Sequence, residues 1–435
     1  MLLLTDLLYL FCGLAYLPFL LYQAVVLGKN RRGWRQRFGS IPRFDAAKPR
    51  VWIHGVSLGE INATPKLIQW LEQSLPDHEF VISSTTDTGF ARARHHFGND
   101  RVFRFPLDFS WIVRRALDRI QPAMIVLMEQ ELWFNLVRIA TKRGIPVVVV
   151  NGRMTRRSAE RYARLGILSR GVFGRLAWVG AQDDAIADRF RRLGADERRV
   201  DVVPSLKWDS APVADAVPDT QDLAHDLGLD VARRVWVCGS TGPGEEAMLL
   251  DAYAQLEPVK DRPRLVLVPR KPERFDEVAR LIGQRGFDGV RRSRYRAGAV
   301  PPTLTERSVI LGDTMGELRK FYCLADVVFV GRSLVDMGGS DPMEVAALAK
   351  PIIVGPFTSN FQQPIAALQA EKAVEIVPNA QQLTMAIGRL LADPESARAM
   401  GARAREAVLN HQGGTQKTAE ALVSILKQRS TESLP

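Results

Sequence analysis

Residues 2–27 are apolar almost throughout, with Asp6 the one charge in the stretch. A helix of that length reaches across the hydrocarbon core of a bilayer. The pattern then changes. Short runs rich in Val, Ile and Leu recur at 50–54, 79–84, 101–105, 124–128, 147–150 and 200–203, with helix-like segments between them. Continuous β-branched runs predict strands covered on both faces, and strands alternating with helices predict a parallel sheet. A second series follows at 235–239, 265–268, 309–311, 327–330, 352–354 and 374–377. Between the two series the composition turns to Ala, Pro, Asp and Val, which predicts a linker. The chain thus divides into an apolar helix over 1–27, an α/β domain over 28–210, a linker over 211–230, a second α/β domain over 231–428 and a frayed tail over 429–435. Its 435 residues are too many for one ordinary core and suit two domains.

Charge refines this picture. Lys29, Arg31, Arg32, Arg35 and Arg37 follow the apolar segment at once. The positive-inside rule keeps that cluster cytoplasmic, so the expectation is a single-pass anchor in the inner membrane with both α/β domains facing the cytoplasm. A cleaved signal peptide would need a basic n-region and a small-residue cleavage site, and neither is present. A helix lying in the membrane surface is the alternative. The net charge of +11 points to an anionic partner. No nucleic-acid-binding motif appears and the basic residues are not interleaved with aromatics, so a membrane surface fits better than nucleic acid. Cys12, Cys238 and Cys323 lie far apart without metal-ligand spacing, and His54, His95 and His96 have no metal-ligating company. Trp111, Trp133 and Trp178 read as core residues.

Candidate chemistry gathers where strand runs end. Open parallel sheets bind ligands beyond the carboxyl ends of their strands. Glycine-opened helix starts offer N–H groups to a phosphate, and a nearby carboxylate suits a ribose diol. Residues 312–361 hold Met315-Gly316-Glu317, Gly338-Gly339-Ser340 and Asp341-Pro342-Met343-Glu344 interleaved with two strand runs. That pattern suggests a nucleotide-sugar pocket. In the first domain Glu60 follows the 50–54 run at a helix start, and Glu129 ends the 124–128 run. Each also has a structural reading: Glu60 as a complement to the helix dipole, Glu129 as half of an ion pair.

Four motifs in order carry a resemblance: Val51-Trp52-Ile53-His54-Gly55-Val56-Ser57-Leu58-Gly59-Glu60, Met128-Glu129-Gln130-Glu131-Leu132-Trp133, Pro269-Arg270-Lys271-Pro272-Glu273-Arg274-Phe275 and the 312–361 run. Together they closely resemble the Kdo (3-deoxy-D-manno-octulosonic acid) transferases. The resemblance implies a GT-B fold, two Rossmann-like domains facing across a cleft, and transfer of Kdo from CMP-Kdo to a phosphorylated lipid A precursor with inversion and without a metal or other cofactor. It implies that Glu60 is the base and that Glu129 and Lys207 stabilise the transition state. Pro269, Arg270, Met315, Gly316, Glu317, Asp341, Pro342, Met343 and Glu344 match donor contacts, and Gly239 and Ser240 open the loop that would approach the phosphate. Arg153, Arg156, Arg157 and Arg161 form a basic cluster suited to a phosphorylated acceptor, with a solvated helix face as the structural alternative. Relatives usually carry histidine at the positions of Gly242, Lys271 and Ser340, and asparagine at that of Asp341. Those departures leave a GT-B enzyme with another nucleotide sugar as one alternative. An inactive lipid-binding paralogue is another, opposed by the presence of Glu60, Glu129, Arg270 and Glu344.

Overall fold

The first half forms seven strands among the described residues, six of them on its apolar runs: β1 (Arg50–Gly55), β2 (Glu79–Ser84), β3 (Val102–Arg104), β4 (Pro122–Met128), β5 (Val147–Gly152), β6 (Trp178–Ala181) and β7 (Val200–Val202). All pair in parallel, in the order β3-β2-β1-β4-β5-β6-β7. The second half repeats the plan with β8 (Val235–Thr241), β9 (Arg264–Pro269), β10 (Asp288–Arg291), β11 (Ser308–Leu311), β12 (Val327–Val330), β13 (Ile352–Val354) and β14 (Val374–Ile376). Its order is β10-β11-β9-β8-β12-β13-β14, again all parallel. The computed structural model describes residues 2–25, 33–44, 48–130, 132–230, 232–256, 262–295 and 298–432.

Helices cover both faces of each sheet, which is why strands such as β1, β8 and β9 are buried along their whole length. In each sheet the chain winds outward and then crosses back past its first strand. The reversal falls between β1 and β4 in one sheet and between β8 and β12 in the other. Those reversals are where ligands of such sheets bind.

Two strands escaped the sequence reading. β6 reads Trp-Val-Gly-Ala, and its Gly180 is required because a Cβ there would come within 2.4 Å of the Trp178 ring. β10 begins with exposed Asp288 and Gly289 at a sheet edge, so it lacks the apolar signal of a central strand.

The division of the chain also differs from expectation. One unit comprises Met1–Asp209 with Gln412–Pro435, the other Ser210–His411. The helix Gly414–Glu432 thus belongs with the first sheet and not with the second domain over 231–428. Its Ala419, Leu422 and Leu426 share a core with Val51, Ile53 and Leu67. Asp209 fixes its start, accepting from the N–H groups of Gly413 and Thr415 at 2.8 and 2.6 Å. The same helix carries residues 429–432, expected to be frayed. The expected linker contains a helix, Thr220–Asp226, whose Leu223 is buried.

At the N-terminus Leu2–Val25 is one helix. Its first turns are tied to the first unit by polar bonds. Asp6 accepts from the Ser110 N–H and the Asn135 side-chain amide, both at 2.8 Å, and Tyr9 donates to Asp108 at 2.9 Å. Farther along, Leu10, Phe11, Leu14 and Leu17 are exposed. Among the described residues no helix is long and apolar enough to cross a membrane. Of the basic cluster, Lys29, Arg31 and Arg32 lie outside the described residues. Arg35 is exposed, and Arg37 is buried and donates to the Thr85 carbonyl at 2.7 Å. Trp178 is buried, but Trp111 is 53% exposed and stacks with exposed Phe38.

Candidate active site

In the first unit the site is built from the strand ends at the β1–β4 reversal. Gly55 closes β1, where a Cβ would press to 3.0 Å from Ile61, and the chain turns at once into the helix Leu58–Asn62. Ser57 accepts from the Glu60 N–H. The Glu60 carboxylate reaches back to the N–H groups of Val56 and Ser57, at 2.8 and 3.2 Å, and to the Ser57 hydroxyl at 2.7 Å. This is a complete capping box, so the structural reading of Glu60 holds. The same bonds fix the orientation of a carboxylate that is only 6% exposed.

Glu129 follows β4 with φ 57, and Asn151 in β5 has φ 55. Left-handed backbone costs a non-glycine residue about 1–2 kcal/mol. Glu129 directs Oε1 to within 3.5 Å of Lys207 Nζ. Asn151 Oδ1 accepts from the Leu206 N–H at 3.1 Å and so positions the turn that carries Lys207. Asparagine visits this region readily, so the cost falls on Glu129, and a partly exposed ion pair contributing about 0–1 kcal/mol does not offset it. Strain retained at a strand end in this way is typical of a functional site. Asn151 was not singled out from the sequence, since nothing about an Asn-Gly pair distinguishes it from a turn. Glu131, beside Glu129, lies outside the described residues. Arg153, Arg156 and Arg157 are exposed, and Arg156 pairs with Glu160 one helical turn on at 3.1 Å, as a solvated helix face does.

In the second unit the loops after β8, β9 and β12 converge. Gly239 admits Tyr322, whose hydroxyl would lie 2.2 Å from a Cβ there. Tyr322 is buried beside Ser240, and burial, then Glu344 and Asp341, raise its pKa well above the ordinary phenol value. Ser240 has φ 56, and its carbonyl accepts from Ser340 Oγ at 3.3 Å. The Arg270 N–H donates to the Thr241 carbonyl at 3.1 Å. Burial raises the pKa of Glu344, opposed by the charges of Arg319 and Arg270. Ser240, Arg270, Asp341 and Glu344 therefore share one neighbourhood, with Tyr322 and Arg319 as members the sequence did not announce.

Other expected donor contacts stand differently. Pro342 and Met343 are buried, and Asp341 Oδ1 accepts from the Met343 N–H at 2.9 Å. Pro269 is buried within β9. Glu317 is committed to Arg292, with two bonds of 3.1 Å, and to the Thr314 hydroxyl. Against burial, those partners hold its carboxyl below the usual range. Met315, 70% exposed, and Gly316 are the open part of that loop.

Two acidic residues missed in the sequence organise the loops. Glu245, fully buried, accepts from the N–H groups of Gly242, Arg332, Ser333 and Leu334. The first of these follows β8 and the other three follow β12. Glu246 accepts from Thr241 Oγ1 at 2.8 Å and pairs with Arg274 at 2.6 and 3.1 Å, joining the loops after β8 and β9. In the sequence the pair looks like ordinary dipole-complementing acid at a helix start.

Two parallel Rossmann-like sheets, each with polar side chains gathered at its reversal, give the α/β architecture of the GT-B type. Among solved structures, a putative UDP-N-acetylglucosamine 2-epimerase from Listeria monocytogenes covers 89% of this chain and 98% of its own, with a TM-score of 0.54. A glycosyltransferase from Rickettsia africae covers 87% and 98%, with a TM-score of 0.52. At 13% and 12% identity these likenesses show the fold. Sequence relatives are closer. A 3-deoxy-D-manno-octulosonic acid transferase from Haemophilus influenzae is 31% identical over 96% of this chain and 97% of its own. One from Bordetella pertussis is 35% identical over 86% of each. The family model described as 3-deoxy-D-manno-octulosonic-acid transferase (kdotransferase) matches residues 32–210. The chain belongs to the Kdo transferase family.

Proposed function

We propose that the protein transfers Kdo from CMP-Kdo to a hydroxyl of a phosphorylated lipid A precursor of the lipid IVA type, in lipopolysaccharide biosynthesis, with inversion at the anomeric carbon. Glu60 takes the acceptor proton as the acceptor oxygen bonds to that carbon. The bond from the carbon to the phosphate oxygen breaks, and CMP leaves. Glu129 and Lys207 balance charge in the transition state. Arg270 and Glu344 hold the nucleotide, and the scheme uses no metal. The observation that carries this reading is the position of Glu60 and the Glu129–Lys207 pair at the reversal of the first sheet, within a chain of this family.

The exposed apolar residues of the Leu2–Val25 helix attach the protein to the inner membrane on its cytoplasmic side. Attachment along the surface accommodates the bonds of Asp6 to Ser110 and Asn135, which hold the start of the helix against the first unit. The basic residues Arg35, Arg153, Arg156 and Arg157 complement an anionic surface. Co-sedimentation with vesicles containing anionic lipid tests this attachment, and recovery of all the protein in the supernatant at low salt contradicts it.

The transfer itself is tested by incubating purified protein with CMP-Kdo and a tetra-acylated lipid A precursor in detergent, followed by mass spectrometry of the lipid. A mass increase of one or more Kdo units is the expected result. An unmodified lipid alongside intact, folded protein contradicts the assignment.

A further inference from the structure

The reversal of the second sheet lies between β8 and β12, so the loops leaving these strands border the place where a ligand of that sheet would sit. Arg332 is the second residue of the loop after β12. Its φ of 60 lies in the left-handed region, where a long side chain carries a steric cost that glycine would avoid. The conformation is clamped from several directions. The Arg332 N–H donates to Glu245, and its carbonyl accepts from the Gly339 N–H at 2.8 Å. The next two N–H groups, of Ser333 and Leu334, donate to the same carboxylate at 2.7 and 2.9 Å.

The side chain lies across the loop after β8. A Cβ on Gly242 would stand 3.1 Å from Arg332 Cγ and 2.7 Å from Met337 Sδ, so these two residues occupy the space that a larger residue at 242 would need. The half-buried guanidinium donates to the Met337 carbonyl at 3.2 Å. A guanidinium presents a rigid fork of donors suited to bidentate oxygen anions, and one backbone carbonyl does not use the whole fork. Glu245 accepts the Gly242 N–H itself, at 2.9 Å. An incoming anion at this loop therefore meets the arginine side chain rather than that amide.

We propose that Arg332 binds an anionic group of the donor, its phosphate or its sugar carboxylate. The inference rests on the donor reading given under the proposed function. It separates a binding role from packing over Gly242 because the two predict opposite consequences of removing the side chain. Arg332→Gly relieves the backbone cost, and Arg332→Asn keeps a residue type that tolerates left-handed backbone.

The experiment measures melting temperature and calorimetric affinity for cytidine, CMP and CMP-Kdo in the parent and both variants. Both variants are expected to melt at or above the parent temperature while losing affinity by about tenfold or more, the effect of one lost charged hydrogen bond. Loss on CMP and CMP-Kdo alike assigns the phosphate, and loss on CMP-Kdo alone assigns the sugar carboxylate, with cytidine unchanged in either case. Parental affinity for CMP and CMP-Kdo in both variants overturns the proposal. So does an equal loss on cytidine, which would mean a collapsed loop. A parent protein that binds neither CMP nor CMP-Kdo overturns the donor reading and this inference with it.

Discussion

Glu245→Gln is nearly isosteric and removes only the charge and one acceptor oxygen. In the structure one Glu245 oxygen accepts from Ser333 and Leu334 at 2.7 and 2.9 Å, and the other accepts from Gly242 at 2.9 Å and from Arg332. A glutamine oxygen can keep one of these pairs. Its amide nitrogen then points two N–H groups at two backbone N–H groups. Two charge-assisted hydrogen bonds are lost, each contributing about 1.5–3 kcal/mol. Burying a neutral amide instead of a charge offsets part of this, because burial already raises the pKa of Glu245. A net loss of about 2–4 kcal/mol follows. Because the carboxylate joins the loops after β8 and β12, donor affinity should fall with it. Denaturant unfolding gives the stability change, and CMP calorimetry at a temperature where the variant remains folded gives the affinity. A variant within about 0.5 kcal/mol of the parent, with unchanged CMP affinity, would show that the four N–H groups are satisfied without the charge, and the organising role would fall.

Arg270→Ala and Glu344→Ala should each weaken CMP binding by about 1–3 kcal/mol, and calorimetry showing normal affinity in both would move the nucleotide away from these loops. Asp108 is buried, and burial, with a smaller push from Asp6, raises its carboxyl from 3.8 to about 7 against the N–H groups of Asn135 and Leu136 and the Tyr9 hydroxyl. The folded protein therefore holds this proton more tightly than the unfolded chain. Its contribution is fully present below about pH 4 and is lost as the pH rises through about 7, at most about 4 kcal/mol across the window. Asp108→Asn should flatten the pH dependence of unfolding free energy between those limits, and an unaltered slope would place the titration on another group.

Much of the architecture is legible because burial on both faces leaves a continuous β-branched signal. The ranges 327–330 and 352–354 read from the sequence are the strands observed. β10, which opens on exposed Asp288 and Gly289, and β6, narrowed by a close approach at Gly180, leave no such signal. The return of the Gly414–Glu432 helix to the first unit is a long-range choice, made by Asp209 and by the core it shares with Val51 and Ile53. Composition does not encode it.

Within the candidate site, charged residues at strand ends could be read directly, and Glu129 with Lys207 do meet. The left-handed backbone at Glu129, Ser240 and Arg332 could not be read. A sequence signals that conformation where glycine or asparagine occupies it, and these positions carry neither. The inward role of Glu245 was hidden for a related reason, since its partners are backbone groups about 90 residues further along the chain.

The most direct measurement is the turnover of Glu60→Gln beside its affinity for CMP. Glutamine keeps an oxygen for part of the capping box and cannot accept the acceptor proton. Turnover of Kdo transfer should fall by about two to four orders of magnitude, the usual contribution of a general base, while CMP affinity stays at the parental value. A variant that transfers Kdo at nearly the parental rate would leave Glu60 as a helix cap and nothing more. The base would then have to be sought elsewhere at the β1–β4 reversal.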